Sequence, residues 1–232
     1  MGILPKIKAI LKLILKKEYP FKVQVKIKKK WLGNRYGGFF VAPEFLDKNS
    51  IVYSVGIGED ISFDSDLINL TGCSVYGFDP TPKSINWISN QKLPDNFKFY
   101  SYGLDTNNGF VTFFLPENPN HISGTIVKKT DSKSEKISVP MKNITTITTE
   151  LKHDHIDLLK IDIEGSEYSV IPDIIASKIK IKQILIEFHH RFFEDGFKKN
   201  TDIINMLNDA GYKIFAVSDS LMEVSFINSN LV

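Results

Sequence analysis

The ten residues IVYSVGIGED, numbered 51–60, decide the fold that we expect for this chain. Residues Ile51–Ile57 form a run of β-branched and aromatic side chains, which is typical of a buried strand. The run leads into the turn Gly56–Gly58, and an amphipathic pattern over Asp60–Leu70 follows it. A strand, a glycine turn and a helix in this order begin a doubly wound α/β sheet, in which ligands bind at the carboxyl ends of the strands.

The alternation of apolar strands and amphipathic helices continues along the chain. Further strands are predicted at Ser74–Phe78, Lys98–Gly103, Ile156–Ile163 and Ile181–Phe188, and further helices at Pro82–Gln91, Ser166–Ser177 and Asn200–Asn208. Two final strands, Tyr212–Val217 and Met222–Ile227, are joined by a tight turn, so the last strand should run antiparallel to its neighbour. A mostly parallel, Rossmann-like sheet with a terminal antiparallel strand suggests a class I methyltransferase architecture.

The alternation breaks between the third and fourth predicted strands. Three short segments there, Val111–Leu115, Gly124–Val127 and Lys136–Val139, have strand-like patterns and are separated by polar loops. We therefore expect a small β insertion at this point of the sheet.

Positive charge is concentrated at the start of the chain. Residues 1–30 contain ten lysines and one acid, whereas the remainder contains 19 basic and 26 acidic side chains. On a helical wheel, residues 3–17 place isoleucines and leucines on one face and lysines on the other. We divide the chain into a basic amphipathic segment, 1–30, and a methyltransferase domain, 31–232. The segment either lies on an anionic membrane or a partner, or packs on its own domain with solvated lysines.

The remaining composition narrows the class of protein. An acidic domain argues against a nucleic-acid partner. The single cysteine, Cys73, excludes an intrachain disulfide, and no secretory signal is recognisable. Both features indicate a reducing compartment, most simply the cytoplasm, with a peripheral position at the membrane as the alternative that residues 3–17 leave open.

The glycine turn alone indicates only a nucleoside-containing ligand, because short glycine turns also occur for steric reasons. Its neighbours favour one cofactor. A dinucleotide site would have a third glycine at position 61, where this chain has Ile61. Glu59 and Asp60 would repel a pyrophosphate, whereas the sulfonium and ammonium groups of S-adenosylmethionine are cations. Gly56, Gly58, Glu59 and Asp60 are therefore predicted to bind S-adenosylmethionine.

Asp79 completes the predicted cofactor site. It follows the second predicted strand, and its carboxylate can accept hydrogen bonds from both ribose hydroxyls. The alternative is that Asp79 caps the helix beginning at Pro82, although Thr81 can take that role instead. Pro80 stands next to Asp79. Gly103 and Leu104, which follow the third strand, are expected to flank the adenine.

The reactive end of the site is predicted where the fourth and fifth strands end. Period-two alternation turns Asp162 and Glu164 to one side, where they supply a base or hold the ammonium of the donor. Alternatively, Glu164 only favours the amino end of the following helix. His189, at the end of the fifth strand, is a second candidate base, because the usual pKa of histidine is near neutrality. These groups also suit a divalent cation, but their spacing matches no specific metal motif, and we assign no metal ligand.

With these residues identified, the chain resembles the FkbM-type methyltransferase family from about Ile51 to Ile227. The stretch LKIDIEGSE, residues 159–167, is similar to the family's lysine, aspartate, acidic-glycine and glutamate pattern. The stretches YSVGIGEDISFD, residues 53–64, and GFDPTP, residues 77–82, resemble a branch in which GIGEDISFD replaces the commoner turn followed by asparagine and glycine.

The resemblance implies an S-adenosylmethionine-dependent O-methyltransferase with a hydroxylated acceptor. A sugar or glycan is the favoured acceptor, and a polyketide-type metabolite is the alternative. Only Asp162 and Glu164 are carried over from the family as site residues. A nicotinamide-dependent oxidoreductase, which Ile61 disfavours, and a non-catalytic glycan-binding module on the same fold stay open as other readings.

Overall fold

A computed structural model describes residue 13 and residues 18–114 and 136–232 of the protein. The predicted strand at Gly124–Val127 lies outside these residues, and so does the predicted helix over residues 3–17, apart from Leu13. None of the helices in the described part of the chain is long and apolar enough to cross a membrane.

The described elements alternate as the sequence predicts. The strands are β1 (Lys30–Leu32), β2 (Phe39–Val41), β3 (Ile51–Val55), β4 (Ser74–Phe78), β5 (Phe97–Tyr100), β6 (Gly103–Leu104), β7 (Gly109–Phe114), β8 (Lys136–Lys142), β9 (His155–Ile161), β10 (Lys180–Glu187), β11 (Tyr212–Val217) and β12 (Glu223–Asn228). The α-helices are α1 (Ser62–Thr71), α2 (Pro82–Ser89), α3 (Ile144–Leu151), α4 (Glu167–Ala176) and α5 (Gly196–Asp209).

The central sheet has seven strands in the order β11-β12-β10-β9-β3-β4-β5. Within this sheet, the five neighbouring strands β5, β4, β3, β9 and β10 are parallel, whereas β12 is antiparallel to both β10 and β11. The predicted Rossmann-like sheet with a terminal antiparallel strand is therefore confirmed. The last strand does not lie at the edge, since β12 inserts between β10 and β11.

The sheet is buried on both faces, and most residues of its central strands are apolar. Asp157 and Lys160 of β9 and Gln183 of β10 are buried polar exceptions. One face packs on α3, α4 and α5 through residues such as Leu159 and Ile174. The other face packs on α1 and β2 through residues such as Leu158 and Phe63. This three-layer arrangement leaves the carboxyl ends of the parallel strands along one edge of the domain.

The strand and helix around the glycine turn are shorter than predicted. β3 ends at Val55 instead of Ile57, because Gly56 has a φ of +81°, which leaves the extended region. A Cβ atom at Gly56 would lie 1.7 Å from the carbonyl oxygen of Asp162, so only glycine fits there. Helix α1 begins at Ser62 instead of position 60.

The predicted insertion forms a second sheet, with the strand order β6-β8-β7. The predicted strand at Lys98–Gly103 is divided: β5 ends at Tyr100, and Gly103 pairs instead with Met141 of β8. β7 and β8, which contain the predicted segments at 111 and 136, pair antiparallel. The second sheet places Phe113 and Met141 beside the carboxyl ends of the central strands.

The described end of the basic segment packs on the domain. The ring of Phe21 lies 5.2 Å from that of Phe188, and the backbone NH of Gln24 donates to the carbonyl of Ile214 at 2.7 Å. Glu18 is buried against Arg191. The division of the chain at residue 30 stays a prediction.

Candidate active site

A cavity of about 240 Å³ lies at the carboxyl ends of β3, β4 and β9. The turn after β3 forms its floor, and the loops after β4 and β9 form two of its sides. The loop between β1 and β2 and the second sheet complete the wall. All eight predicted cofactor residues line this cavity: Gly56, Gly58, Glu59, Asp60, Asp79, Pro80, Gly103 and Leu104.

The polar lining of the cavity is acidic. Five carboxylates contribute to it, and no lysine, arginine or histidine does so among the described residues: the acids are Glu59, Asp60, Asp79, Asp162 and Glu164. Several like charges around a partly enclosed space attract cationic groups and repel phosphates. The cavity therefore suits a positively charged ligand.

Asp79 lies at the centre of the hydrogen bonds that shape the floor. Its side chain is 5% exposed. One carboxylate oxygen accepts from the backbone NH of Gly58 at 2.9 Å, and the other accepts from the NH and hydroxyl of Thr81 at 2.9 and 2.6 Å. Thr81 in turn caps α2, so the helix cap is Thr81. A carboxylate offers about four acceptor sites and three are used here, so one is open to a ligand hydroxyl, and a second hydroxyl would share the oxygen that Thr81 occupies.

The two acids after the glycine turn also have partners within the protein. Asp60 accepts from the backbone NH of Ser62 at 2.8 Å and from the side-chain amide of Asn34 at 2.6 Å. Glu59 lies 3.4 Å from the ammonium of Lys83. Asp60 therefore orders the start of α1 and the loop above it, in addition to contributing charge to the cavity.

One wall of the cavity is apolar. Its side chains come from both sheets: Val55, Phe78, Leu104, Phe113 and Met141. Gly103 is tightly enclosed, because a Cβ there would lie 2.7 Å from the sulfur of Met141 and 3.0 Å from the ring of Pro80. A flat apolar group fits against such a wall.

Sequence reasoning missed the residues that approach the cavity from the second sheet and from the loop between β1 and β2. Tyr36 and Gly37 of this loop line the cavity, and Tyr36 is 84% exposed. The side-chain oxygen of Asn34 accepts from the backbone NH groups of both residues at 2.7 and 3.0 Å. The glycine-rich stretch GNRYGG, residues 33–38, was the available signal for a loop that approaches a ligand.

The three predicted catalytic residues come together where β9 and β10 end. Ile161 of β9 pairs with Ile186 of β10. The segment that carries Asp162 and Glu164 follows Ile161, and the segment that carries His189 follows Ile186. The Nε2 atom of His189 lies 3.5 Å from a carboxylate oxygen of Glu164 and 3.8 Å from one of Asp162. Asp162 and Glu164 line the cavity, while His189 lies behind them and is 5% exposed.

Glu167 fixes the loop that carries these groups. Its side chain is fully buried, and its carboxylate accepts from the backbone NH groups of Gly165 and His189 at 2.9 and 2.7 Å. The same carboxylate lies 3.4 Å from Nδ1 of His189. Glu164 has a φ of +51°, a left-handed conformation that costs a non-glycine residue about 1–3 kcal/mol. The buried Glu167 therefore helps to hold a strained turn.

The charge on His189 depends on these acids. Burial favours the neutral imidazole, but the nearby carboxylates of Glu167, Asp162 and Glu164 outweigh it and raise the pKa of His189 to about 10. Burial, together with Asp162, raises the pKa of Glu187 to about 9. In this arrangement the imidazole is positively charged at neutral pH. The assignment of His189 as a base stays a prediction, and the surrounding carboxylates stabilise its protonated form.

Residues 49–214 match the family model described as the methyltransferase FkbM domain. The chain belongs to the FkbM methyltransferase family. As an FkbM methyltransferase it uses S-adenosylmethionine, and the predicted family and cofactor are both confirmed.

Two curated relatives of this FkbM methyltransferase are similar over the same region. Human "Probable methyltransferase-like protein 24" is 27% identical over 154 residues, which cover 65% of this chain and 36% of that protein. Its counterpart from Rattus norvegicus is 26% identical over 164 residues, covering 69% and 39%. The matched region thus spans well under half the length of these relatives.

Solved structures with similar folds share little sequence with it. The Methanococcus jannaschii fibrillarin pre-rRNA processing protein is 12% identical, with a TM-score of 0.47, over 90% of this chain and 86% of that one. SMU.1697c, a methyltransferase-like protein from Streptococcus mutans solved with S-adenosylhomocysteine, is 13% identical, with a TM-score of 0.40, over 79% and 93%.

The cavity of the FkbM methyltransferase has the groups that S-adenosylmethionine requires. The acidic lining matches the sulfonium and ammonium cations, whereas a pyrophosphate would be repelled. Asp79 offers acceptors for a ribose diol, and the apolar wall offers a surface for a purine ring. The residues present therefore fit this cofactor.

Proposed function

We propose that this FkbM methyltransferase transfers the methyl group of S-adenosylmethionine to a hydroxyl of a sugar or glycan. The observation that carries the proposal is the position of Asp162 and Glu164 in the wall of the acidic cavity that also contains Asp79. One cavity thus holds acceptors for a ribose and carboxylates that can take the proton of an alcohol. Nitrogen and sulfur acceptors have less need of such a base.

The donor would lie along the floor of the cavity. The ribose hydroxyls would donate to Asp79, and the adenine would pack against Phe78, Leu104 and Met141. The close backbone at Gly56 and Gly58 lets the middle of the donor approach the sheet. This orientation leaves the sulfonium and its methyl group directed toward the Asp162 end.

The reaction then requires one displacement. The acceptor hydroxyl oxygen forms a bond to the methyl carbon, and the carbon–sulfur bond breaks with its electron pair on sulfur. The sulfonium becomes the neutral thioether of S-adenosylhomocysteine, and the hydroxyl proton passes to a carboxylate of Asp162 or Glu164. The protein contributes by orienting the two reactants and accepting that proton.

The charge of the cavity and the position of Tyr36 favour a saccharide acceptor. The acidic cavity disfavours a nucleic-acid phosphate and favours a neutral polyhydroxylated molecule. Tyr36 presents an exposed aromatic ring beside the cavity, a surface on which the apolar face of a sugar ring can pack. Together with the family resemblance, these features favour a saccharide over a polyketide-type metabolite.

A labelled-donor assay tests the proposal. The full chain is incubated with methyl-labelled S-adenosylmethionine and a panel of free sugars, nucleotide sugars, lipid-linked glycans and polyketide-type alcohols. We expect label on an oxygen of a saccharide, with Tyr36→Ala raising the KM for that acceptor and leaving the KM for the donor nearly unchanged. Label only on nitrogen, only on the polyketide-type alcohols, or on no acceptor would refute the saccharide assignment.

We also propose that the basic segment holds the enzyme at an anionic membrane surface, such as the cytoplasmic leaflet. Its described end supports this, because five lysines there are exposed while Val25 and Ile27 between them are partly buried: Lys22, Lys26, Lys28, Lys29 and Lys30. Each such lysine contributes about 1 kcal/mol near an anionic surface. Cosedimentation with phosphatidylserine vesicles should exceed that with phosphatidylcholine vesicles and fall with salt. Equal binding to both vesicles would contradict the proposal.

A further inference from the structure

We propose that Asp162, Glu164 and His189 form a binding site for one divalent metal ion at the reactive end of the cavity. One ligand atom from each side chain can be chosen so that all lie within 4.8 Å of one another. Neighbouring ligands of a tetrahedral metal ion are about 3.4 Å apart, since metal–oxygen and metal–nitrogen bonds measure about 2.0–2.2 Å. Small rotations of the two carboxylates would bring the three atoms to about this spacing.

The imidazole is the observation that distinguishes this group from an ordinary acidic cluster. His189 is 5% exposed, and its Nε2 atom faces Glu164 and Asp162 at 3.5 and 3.8 Å. These separations are those of ion pairs and are longer than the about 2.7–3.2 Å of hydrogen bonds. The buried imidazole thus faces two carboxylates across a gap that can take an ion.

Glu167 stands where metal sites place a supporting carboxylate. Its oxygen lies 3.4 Å from Nδ1 of His189 and also accepts the backbone NH of that residue. A metal-bound histidine usually gives its second ring nitrogen to a carboxylate or carbonyl, which fixes the ring. The ion would displace the proton that Nε2 carries in the ion-free protein, because a histidine ligand binds a metal through a deprotonated nitrogen. Glu167 is therefore a positioning residue for the proposed site.

The local charge also favours a cation. Four carboxylates surround His189, because Glu187 lies 3.9 Å from Nε2 in addition to the three acids above. Four acids that are partly or fully buried in one place are costly unless they are paired or bound to a metal. Two carboxylates and one imidazole suit Mn²⁺, Fe²⁺ or Zn²⁺ better than Ca²⁺, which prefers oxygen ligands alone.

The catalytic use of this ion rests on the proposed function. An acceptor hydroxyl bound to the ion would lose its proton more readily, and the second oxygen of Asp162 or Glu164 would receive that proton. The methyl carbon is then displaced from sulfur as before. Metal binding itself needs neither acceptor nor donor, so it can be measured independently.

The test is titration of the chelator-treated full chain with Mn²⁺, followed by the electron paramagnetic resonance signal of the free ion. We expect one site per chain, at least 10-fold weaker affinity in each of Asp162→Asn, Glu164→Gln and His189→Gln, and a smaller loss in Glu167→Gln. Asp95→Asn, at an exposed position outside the cavity, is the control and should bind as the natural protein does. Thermal unfolding with and without Mn²⁺ checks folding and should show stabilisation only where binding is retained.

The outcomes separate the two proposals. Absence of Mn²⁺ binding, or equal affinity in all variants, overturns the metal site even if methyl transfer to a saccharide is observed. Site-specific Mn²⁺ binding without transfer to any saccharide supports the metal site and refutes the proposed acceptor. Binding lost only in the Asp95→Asn variant would place the ion elsewhere and also overturn the proposal.

Discussion

Replacing Gly56 by alanine should destabilise the protein far more than the same change at Gly72. Both residues are left-handed, with φ values of +81° and +74°. At Gly56 the new Cβ would lie 1.7 Å from the carbonyl oxygen of Asp162, whereas at Gly72 its nearest neighbour would be the Cβ of Lys48 at 3.4 Å. The pair of variants therefore shares the conformational cost and differs in the steric cost.

The magnitudes follow from these contacts. A left-handed alanine costs about 1–2 kcal/mol at either position. At Gly56, forced displacement of packed backbone adds about 1–3 kcal/mol, and weakening the 2.9–3.0 Å hydrogen bonds that tie Gly56 and Asp162 to neighbouring strands adds about 1 kcal/mol. We expect a loss of about 3–6 kcal/mol for Gly56→Ala and about 1–2 kcal/mol for Gly72→Ala.

Urea unfolding followed by circular dichroism measures both free energies of unfolding. In thermal unfolding, each kcal/mol corresponds to about 2–4 °C for a chain of this size. Gly56→Ala should also weaken binding of S-adenosylhomocysteine, since Asp162 must move, while Gly72→Ala should not. Equal loss of stability in the two variants would refute the reasoning that the Asp162 carbonyl excludes a side chain at Gly56.

Three further substitutions test other parts of the structure. Asp79→Asn should weaken binding of S-adenosylhomocysteine about 10–100-fold in isothermal titration, because charge-assisted hydrogen bonds contribute about 1.5–3 kcal/mol, and the exposed Asp95→Asn should have no effect. Gln183→Leu should lower the free energy of unfolding in urea by about 2–4 kcal/mol, because the buried amide of Gln183 accepts from the NH of Ala42 at 2.9 Å and donates to its carbonyl at 3.0 Å. An unchanged free energy of unfolding would contradict that role. Glu18→Gln should speed proteolysis within residues 18–25, because it removes the buried partner of Arg191, and unchanged cleavage would show that other contacts suffice.

The central sheet could be predicted because strands that are buried on both faces contain recognisable apolar runs. Ile51–Val55 and Ser74–Phe78 are such runs, and glycine or acidic residues mark their ends. Helix α3 could not be found in this way. Its sequence ITTITTEL is rich in β-branched residues that favour strands, and it becomes helical because Asn143 caps it and Ile144 and Ile147 are buried.

The candidate site was likewise predictable from the sequence only in part. The positions of Asp79 and Asp162 follow from where strands end, which the local sequence shows. The approach of Glu167 to His189 depends on the register of β9 with β10 and on the turn at Glu164, and both are set by tertiary packing. The role of Tyr36 likewise depends on the loop between β1 and β2, in which the backbone NH groups of Gly33 and Asn34 donate to Asp66 and Ser62 of α1. No local pattern specifies those contacts.

We propose that one acidic cavity binds the donor beside a reactive group formed by Asp162, Glu164 and His189. A crystal structure of the protein with S-adenosylhomocysteine and Mn²⁺ is the most direct test. We expect ribose hydroxyls within about 3.2 Å of the Asp79 carboxylate. The thioether sulfur should face Asp162 and Glu164, and the metal ion should be bound by these two acids and His189. A nucleoside bound away from Asp79, or a sulfur directed away from Asp162 and Glu164, would contradict it.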